Sequence, residues 1–272
     1  MCSSDLEMLR RVARLAALRT TIITSSGGEP LLHPELSRIV ARIRGHGALA
    51  TLITNGYLLT RERIRELNHA GLDYLEMSID NVLPDSVSKK SLRLLEPKLR
   101  WLAEDANFKV TVNSVVGYAN SHAEDALVVV RRARELGFTA TVGLLHDHSG
   151  QIRPLSPEQA RVYEELARPE GSLFSFAHNA LFQKNLVAGI PNEWHCRAGS
   201  RYLYVCEDGL VHWCSQQRGY PGIPLDRYGQ EDLERESRSR KPCAPFCTVN
   251  CVHQTAILDG FREGPQATLA AI

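Results

Sequence analysis

The chain lacks an excess of either charge: 32 Lys+Arg stand against 31 Asp+Glu, a formal net charge of +1. That balance offers no electrostatic footprint for nucleic acid or for an acidic membrane surface, so neither partner is expected. It also lacks any apolar run near the ~20 residues of a membrane span. Met1 to Thr20 is a charged amphipathic stretch without the apolar centre of a secretory signal. A cytoplasmic protein is expected. Internal repeats and low-complexity segments are missing too. What is present is cysteine: seven residues, six of them in the last third. In a reducing compartment such usage points to metal or redox chemistry rather than a disulfide framework.

With 43% hydrophobic residues, the 272-residue chain can bury the core of one large domain and add a small one. From residue 20 to 150 strand-like and helix-like patterns alternate. Thr20 to Thr24, Ala48 to Thr54, Tyr74 to Ile79, Phe108 to Val116 and Phe138 to Leu145 read as strands. Pro34 to His46 reads as a helix from the spacing of Leu36, Ile39, Val40 and Ile43. Thr60 to Ala70 is a helix with Thr60 as N-cap and Gly71 beyond its end. Pro84 to Ala106 reads as mostly helix interrupted near Pro97, and Ser121 to Leu136 as a helix ended by Gly137. Alternation of this kind gives an α/β fold with a parallel sheet. Polar residues collect after strand ends, where such sheets bind ligands.

Ser25-Ser26-Gly27-Gly28-Glu29-Pro30 follows the first strand. Paired glycines let a backbone approach a ligand closely, and a carboxylate can take an ammonium group. An ordinary strand-to-helix loop is the other reading. Near the C-terminus, Cys196 is followed by twelve residues, Gly209, four residues and Cys214; then come Cys243, Cys247 and Cys251, three residues apart. Thiolates gathered in this way bind zinc or an iron–sulfur cluster. Residues 201 to 213 read as a hairpin turning at Glu207-Asp208-Gly209, with Cys206 as a small buried residue.

The GGEP segment, the Thr54-Asn55-Gly56 turn after the next strand and Ser78-Ile79-Asp80 after the third together resemble the radical SAM superfamily over residues 20 to 150. The resemblance implies an incomplete (βα)6-type partial barrel that binds S-adenosylmethionine (SAM). It assigns Gly27, Gly28, Glu29 and Pro30 to the methionyl end of SAM, with Asn55, Ser78, Asp80 and the weaker Asn113 as further contacts. The C-x12-G-x4-C pattern resembles the SPASM or twitch extension, which holds auxiliary [4Fe–4S] clusters. One auxiliary cluster is expected, ligated by Cys196, Cys214 and two of Cys243, Cys247 and Cys251, with a structural zinc as the alternative. Trp194, Trp213 and their histidine neighbours would shield it.

The expected division is a partial barrel over 1–155, a helical linker over 156–190, a small cysteine-rich domain over 191–255 and a tail over 256–272. The family's CxxxCxxC loop and first strand are missing. Cys2 lies 25 residues before Gly27, a spacing that suits the third cysteine of that motif; an incidental N-terminal thiol is the alternative. On the first reading the chain starts inside the cluster loop and is inactive as written, because one thiolate cannot hold a cubane. The parent activity would be reductive SAM cleavage to a 5′-deoxyadenosyl radical and hydrogen abstraction from an unidentified small molecule or peptide. A flavodoxin or ferredoxin would supply the electron. His146 and His148, after the last barrel strand, are candidates for substrate contact or proton transfer. The rival expectation is a non-catalytic degenerate barrel that binds a partner and carries a structural zinc or iron–sulfur site.

Overall fold

Alternating hydrophobic periods build the first half of the chain in the computed structural model, which describes residues 5–117, 122–146, 152–166 and 173–271. Two compact units result: Met1–Val115 with His122–Val142, and Val116–Ser121 with Gly143–Ile272.

In the first unit the order is α1 (Asp5–Ala17), β1 (Ile22–Ser25), α2 (Leu36–Gly45), β2 (Leu49–Thr54), α3 (Arg61–Ala70), β3 (Tyr74–Ser78), α4 (Leu92–Asp105), β4 (Lys109–Gly117) and α5 (Asp125–Glu135). β5 (Thr139–Leu145) completes a five-stranded sheet of order β1-β2-β3-β4-β5. The β1–β2, β2–β3 and β3–β4 ladders are parallel. Each strand presents alternate residues to the helices, so Ala50, Leu52, Leu75, Met77, Val110 and Val112 form one core with Ile39, Val40, Ile43, Ile64, Leu67, Leu95 and Leu99. β1 is an edge strand, and Ile22 on it is half exposed. Thr60 caps α3 by accepting the Arg63 N–H at 3.1 Å, and Gly71 ends it at φ +81°.

Two sequence expectations need correction here. The helix expected from Pro84 begins only at Leu92. Asp85 Oδ1 accepts the Val87 and Ser88 N–H groups at 2.8 and 2.7 Å, giving the preceding backbone a turn to close instead of a helix. Pro97 does not interrupt α4 but lies inside it. The buried stripe of Leu95, Leu99 and Leu102 offsets the hydrogen bond that Pro97 cannot donate.

The second unit contains α6 (Pro157–Leu166), α7 (Leu173–His178), a π-helical turn (Asn179–Gln183) and α8 (Lys184–Val187). An antiparallel sheet follows, in the order β6 (Tyr204–Val205), β7 (Leu210–Cys214), β8 (Gln217–Pro224). α9 (Gln230–Arg238), α10 (Asn250–Glu263) and α11 (Pro265–Ala271) close the chain. The expected hairpin thus has a third strand. Gly219, Pro221 and Gly222 disguise β8 as a loop, and they coincide with register shifts against β7 between Val211 and Cys214. α10 runs across residue 255, where the sequence reading ends the cysteine-rich domain, and α10 and α11 occupy most of the expected tail. Among the described residues no helix is long and apolar enough to cross a membrane.

Candidate functional site

The loop after β1 is organised by Glu29. One carboxylate oxygen accepts the Leu31 N–H at 3.0 Å and the Thr54 hydroxyl at 2.6 Å, and the other accepts the Asn55 N–H at 2.8 Å. This pins the loop to the end of β2 and starts a 3₁₀ turn at Pro30. Three of about four acceptor positions are taken, which leaves one for a ligand N–H. Gly27 has φ +89°, and among the described residues a Cβ on Gly27 or Gly28 would meet no atom within 4 Å. Packing by the described residues does not require these glycines, and a ligand could lie against their backbone. Asn55 Oδ1 accepts the Tyr57 N–H at 3.0 Å and so builds its own turn.

After β3, Asp80 Oδ2 accepts the Ser88 hydroxyl at 2.7 Å and pairs with Lys90 Nζ at 2.9 Å. Among the described residues, Oδ1 is left to meet a ligand. Ser78 is the register partner of Asn113, whose Oδ1 accepts the Thr141 hydroxyl at 2.9 Å. The loop after β1 and the ends of β2 and β3 thus carry Gly27, Gly28, Glu29, Pro30, Asn55, Ser78 and Asp80, while Asn113 lies mid-way along β4, in register with Ser78. His146 follows β5. Cys2 and His148 lie outside the described residues.

The face of the sheet turned away from the helices mixes polar groups with Ile53 and Tyr74. Thr24 bonds to Thr51 at 2.6 Å, and Thr111 bonds to Thr139. Between these pairs, in register with Ile53 and Thr111, stands Glu76. Among the described residues no group donates a hydrogen bond to it, and burial pushes its carboxyl above the ordinary range. A desolvated carboxylate without a partner is costly, which makes Glu76 a candidate contact for a ligand N–H. Sequence reading missed it. The available signal was the alternation of Tyr74, Glu76 and Ser78 against Leu75 and Met77.

In the second unit Cys196, Cys214 and Cys247 are buried, Cys243 is partly buried and Cys251 is exposed. Cys196 lies before β6, Cys214 ends β7, and Cys243 and Cys247 flank a 3₁₀ turn, Ala244–Phe246. Trp194 Nε1–H donates to the Ala244 carbonyl at 2.7 Å, tying the Cys196 segment to that turn. Cys196 and Cys214 share an apolar cluster with Trp194, Tyr202 and Trp213. Burial pushes the Cys196 thiol up to about 11, and the charges of Cys243 and Cys214 act on it too. Cys247 is raised further by burial and by Cys196, Cys214 and Cys243. Burial also raises Cys214 and Cys243. Four thiols in mutual electrostatic contact would be neutral without a cation; a bound metal reverses that preference.

A second constellation escaped the sequence reading: Cys206, Asp208 and His212 bring ligand atoms within 4.8 Å of one another. The His212 Nδ1 accepts the Gly219 N–H at 2.8 Å, so Nε2 carries the proton and faces Asp208 at 3.4 Å. This orientation offers an N–H rather than a lone pair, and the group locks the β6–β7 turn. Behind the cysteines, His178 Nε2 meets His253 Nδ1 at 3.2 Å, and the His253 ring stacks on Phe182 at 4.2 Å. Burial pushes His178 down to about 4 and His253 to about 3, so both are neutral at physiological pH.

A sequence profile of the radical SAM superfamily matches residues 3–149. The GTP 3′,8-cyclase of Yersinia pestis is 30% identical over 256 residues, covering 87% of this chain and 77% of that protein. The PqqA peptide cyclase of Streptomyces rochei is 37% identical over 134 residues, but these are 44% of this chain and only 37% of that protein. The structure of Streptococcus suis SuiB bound to S-adenosylmethionine has the same fold, with a TM-score of 0.61 at 13% identity, over 95% of this chain and 68% of that one. The matched segment holds the GGEP loop, the strand-end residues and the five-stranded parallel sheet, and the chain belongs to the radical SAM superfamily.

Proposed function

We propose that this chain serves radical SAM chemistry by binding SAM across the strand ends of its sheet and holding one auxiliary [4Fe–4S] cluster on Cys196, Cys214, Cys243 and Cys247, while the cluster that cleaves SAM needs thiolates beyond Cys2. The superfamily uses SAM and a [4Fe–4S] cluster, and the chemistry these groups supply when bound is one-electron cleavage of SAM and abstraction of a substrate hydrogen atom. The Gly27–Gly28 backbone receives the methionyl end, and the remaining acceptor position of Glu29 takes its ammonium group. Ser78, Asn113 and Asp80 Oδ1 accept or donate to the ribose. Glu76, two residues below Ser78 on the same face, holds an N–H donor of the substrate. The relatives are named cyclases, which supports ring closure after hydrogen abstraction on a small molecule or peptide. A flavodoxin- or ferredoxin-type protein would deliver the electron.

The observation that carries the auxiliary centre is the convergence of four thiols from three separate segments on one apolar, aromatic-lined cluster. Exposed Cys251 is left outside the ligand set. The test is anaerobic reconstitution with iron and sulfide. One cluster requires about four irons per chain and a brown chromophore, lost in Cys196→Ala, Cys214→Ala, Cys243→Ala and Cys247→Ala but kept in Cys251→Ala. A colourless protein holding only zinc would contradict the reading and favour a metal-stabilised binding protein.

A further inference from the structure

Lys241 has no exposed side-chain surface. A buried ammonium is costly unless it is paired and fully hydrogen-bonded. Here Nζ reaches Glu236 Oε2 at 3.1 Å and the Glu236 carbonyl at 2.8 Å, bonds to the Ser239 hydroxyl, and lies 4.9 Å from the centre of the Trp213 ring. Glu236 Oε2 also accepts the Trp213 Nε1–H at 2.7 Å, while Oε1 meets Arg235 Nε at 3.2 Å. Arg235 also pairs with Asp232 at 2.8 Å, so the wider group is balanced in charge, and Lys241 is its fully buried cation, held against the Trp213 ring.

Its placement is specific. Lys241 stands two residues before Cys243, and Trp213 stands one before Cys214. Gly199, three residues after Cys196, has φ +83°; a Cβ there would lie 3.0 Å from Glu236 Cγ and 3.1 Å from Trp213 Cδ1. Three cysteine-bearing segments thus converge on one buried ion pair. Lys241 also acts on the thiols electrostatically, opposing the effect of burial at Cys196 and at Cys243. A purely structural tie between α9 and the 3₁₀ turn would be made at lower cost by apolar packing. The retained charge needs a second reason.

We propose that Lys241, held by Glu236 and Trp213, is a positioning residue that raises the reduction potential of the auxiliary cluster. This rests on the auxiliary-cluster reading above. Reduction adds one electron, delivered in the test by dithionite, to a centre already surrounded by four thiolates; a fixed positive charge beside them stabilises the more negative state.

The experiment is a potentiometric titration of the reconstituted full chain, followed by electron paramagnetic resonance. Lys241→Met should lower the midpoint potential, Lys241→Arg should retain it, and Glu236→Gln should raise it. Opposite signs from two members of one buried network do not arise from loosened packing. A cluster with full iron content and an unmoved potential in Lys241→Met, or shifts of the same sign in Lys241→Met and Glu236→Gln, would overturn the proposal. Should Lys241→Met fail to hold iron, Glu236→Gln decides: a raised potential supports the proposal and an unmoved one overturns it. A wild-type chain without any iron–sulfur cluster would remove the underlying reading, and the proposal with it.

Discussion

The sheet unit and the cysteine unit bury different chemistry. Among the described residues, the polar side chains buried in the first are Thr54, Asn81, Ser91, Thr111 and Ser114, all uncharged. The second buries Gln183, Asn192, His212, Glu236, Lys241, His253 and Asp259. One aliphatic cluster joins strands and helices in the first unit, whereas the cysteine cluster has only Cys196, Ala198, Cys214, Ala244 and Val252 as its fully buried apolar members. The first fold follows from apolar area removed from water. The second relies on hydrogen-bonded ionic groups and, on the proposed reading, on a bound metal centre that contributes folding energy.

The contrast is broken most severely by removing that centre. Chelation of the reconstituted protein should expose residues of the cysteine unit to limited proteolysis while the sheet unit stays protected. The expected loss is on the order of several kcal/mol in the second unit alone. Equal protection of both units before and after chelation would erase the difference.

A smaller effect comes from pH. His178 is held down to about 4 by burial, so its unfolded form takes a proton as pH falls through the ordinary histidine range while the folded form does not. Its contribution is present above about 6.5 and is lost as pH falls toward 4, by roughly 1 kcal/mol per pH unit. Denaturant titrations at pH 7 and pH 5 should show this loss, and His178→Gln should flatten it. An unchanged slope in that variant would place the acid sensitivity elsewhere.

The smallest effect lies in the sheet unit. Glu76 has its carboxyl raised by burial, so its favourable contribution exists at acid pH and is lost as pH rises through the folded value. At neutral pH the carboxylate therefore costs stability. Glu76→Gln should stabilise the unit by about 1 kcal/mol while weakening substrate binding. Thermal melts at pH 7 read the first effect; a destabilised variant would show that Glu76 has a structural role.

The same contrast explains what could be read from the sequence. The strands and the α3 caps are local: period-two and period-3.6 spacing, Thr60 and Gly71 announce them, and the structure keeps them. The place of the GGEP loop after β1, of Asn55 after β2 and of Asp80 after β3 was legible because it follows directly from the strand boundaries. Glu76 was hidden because facing the interior of the sheet depends on closure by strands distant in sequence. β8 was hidden by its own glycines and proline. Lys241 and Glu236 meet across the end of α9, where neither residue carries a periodic signal. The cysteine spacing suggested a metal centre, but the exposure of Cys251 beside buried Cys196, Cys214 and Cys247 and partly buried Cys243 depended on tertiary burial alone.

The most direct measurement is X-ray absorption at the iron and zinc edges of the anaerobically purified, reconstituted full chain. The account predicts iron with sulfur neighbours and a further shell of iron, abolished by Cys247→Ala. Zinc with four sulfur neighbours and no metal shell would contradict it.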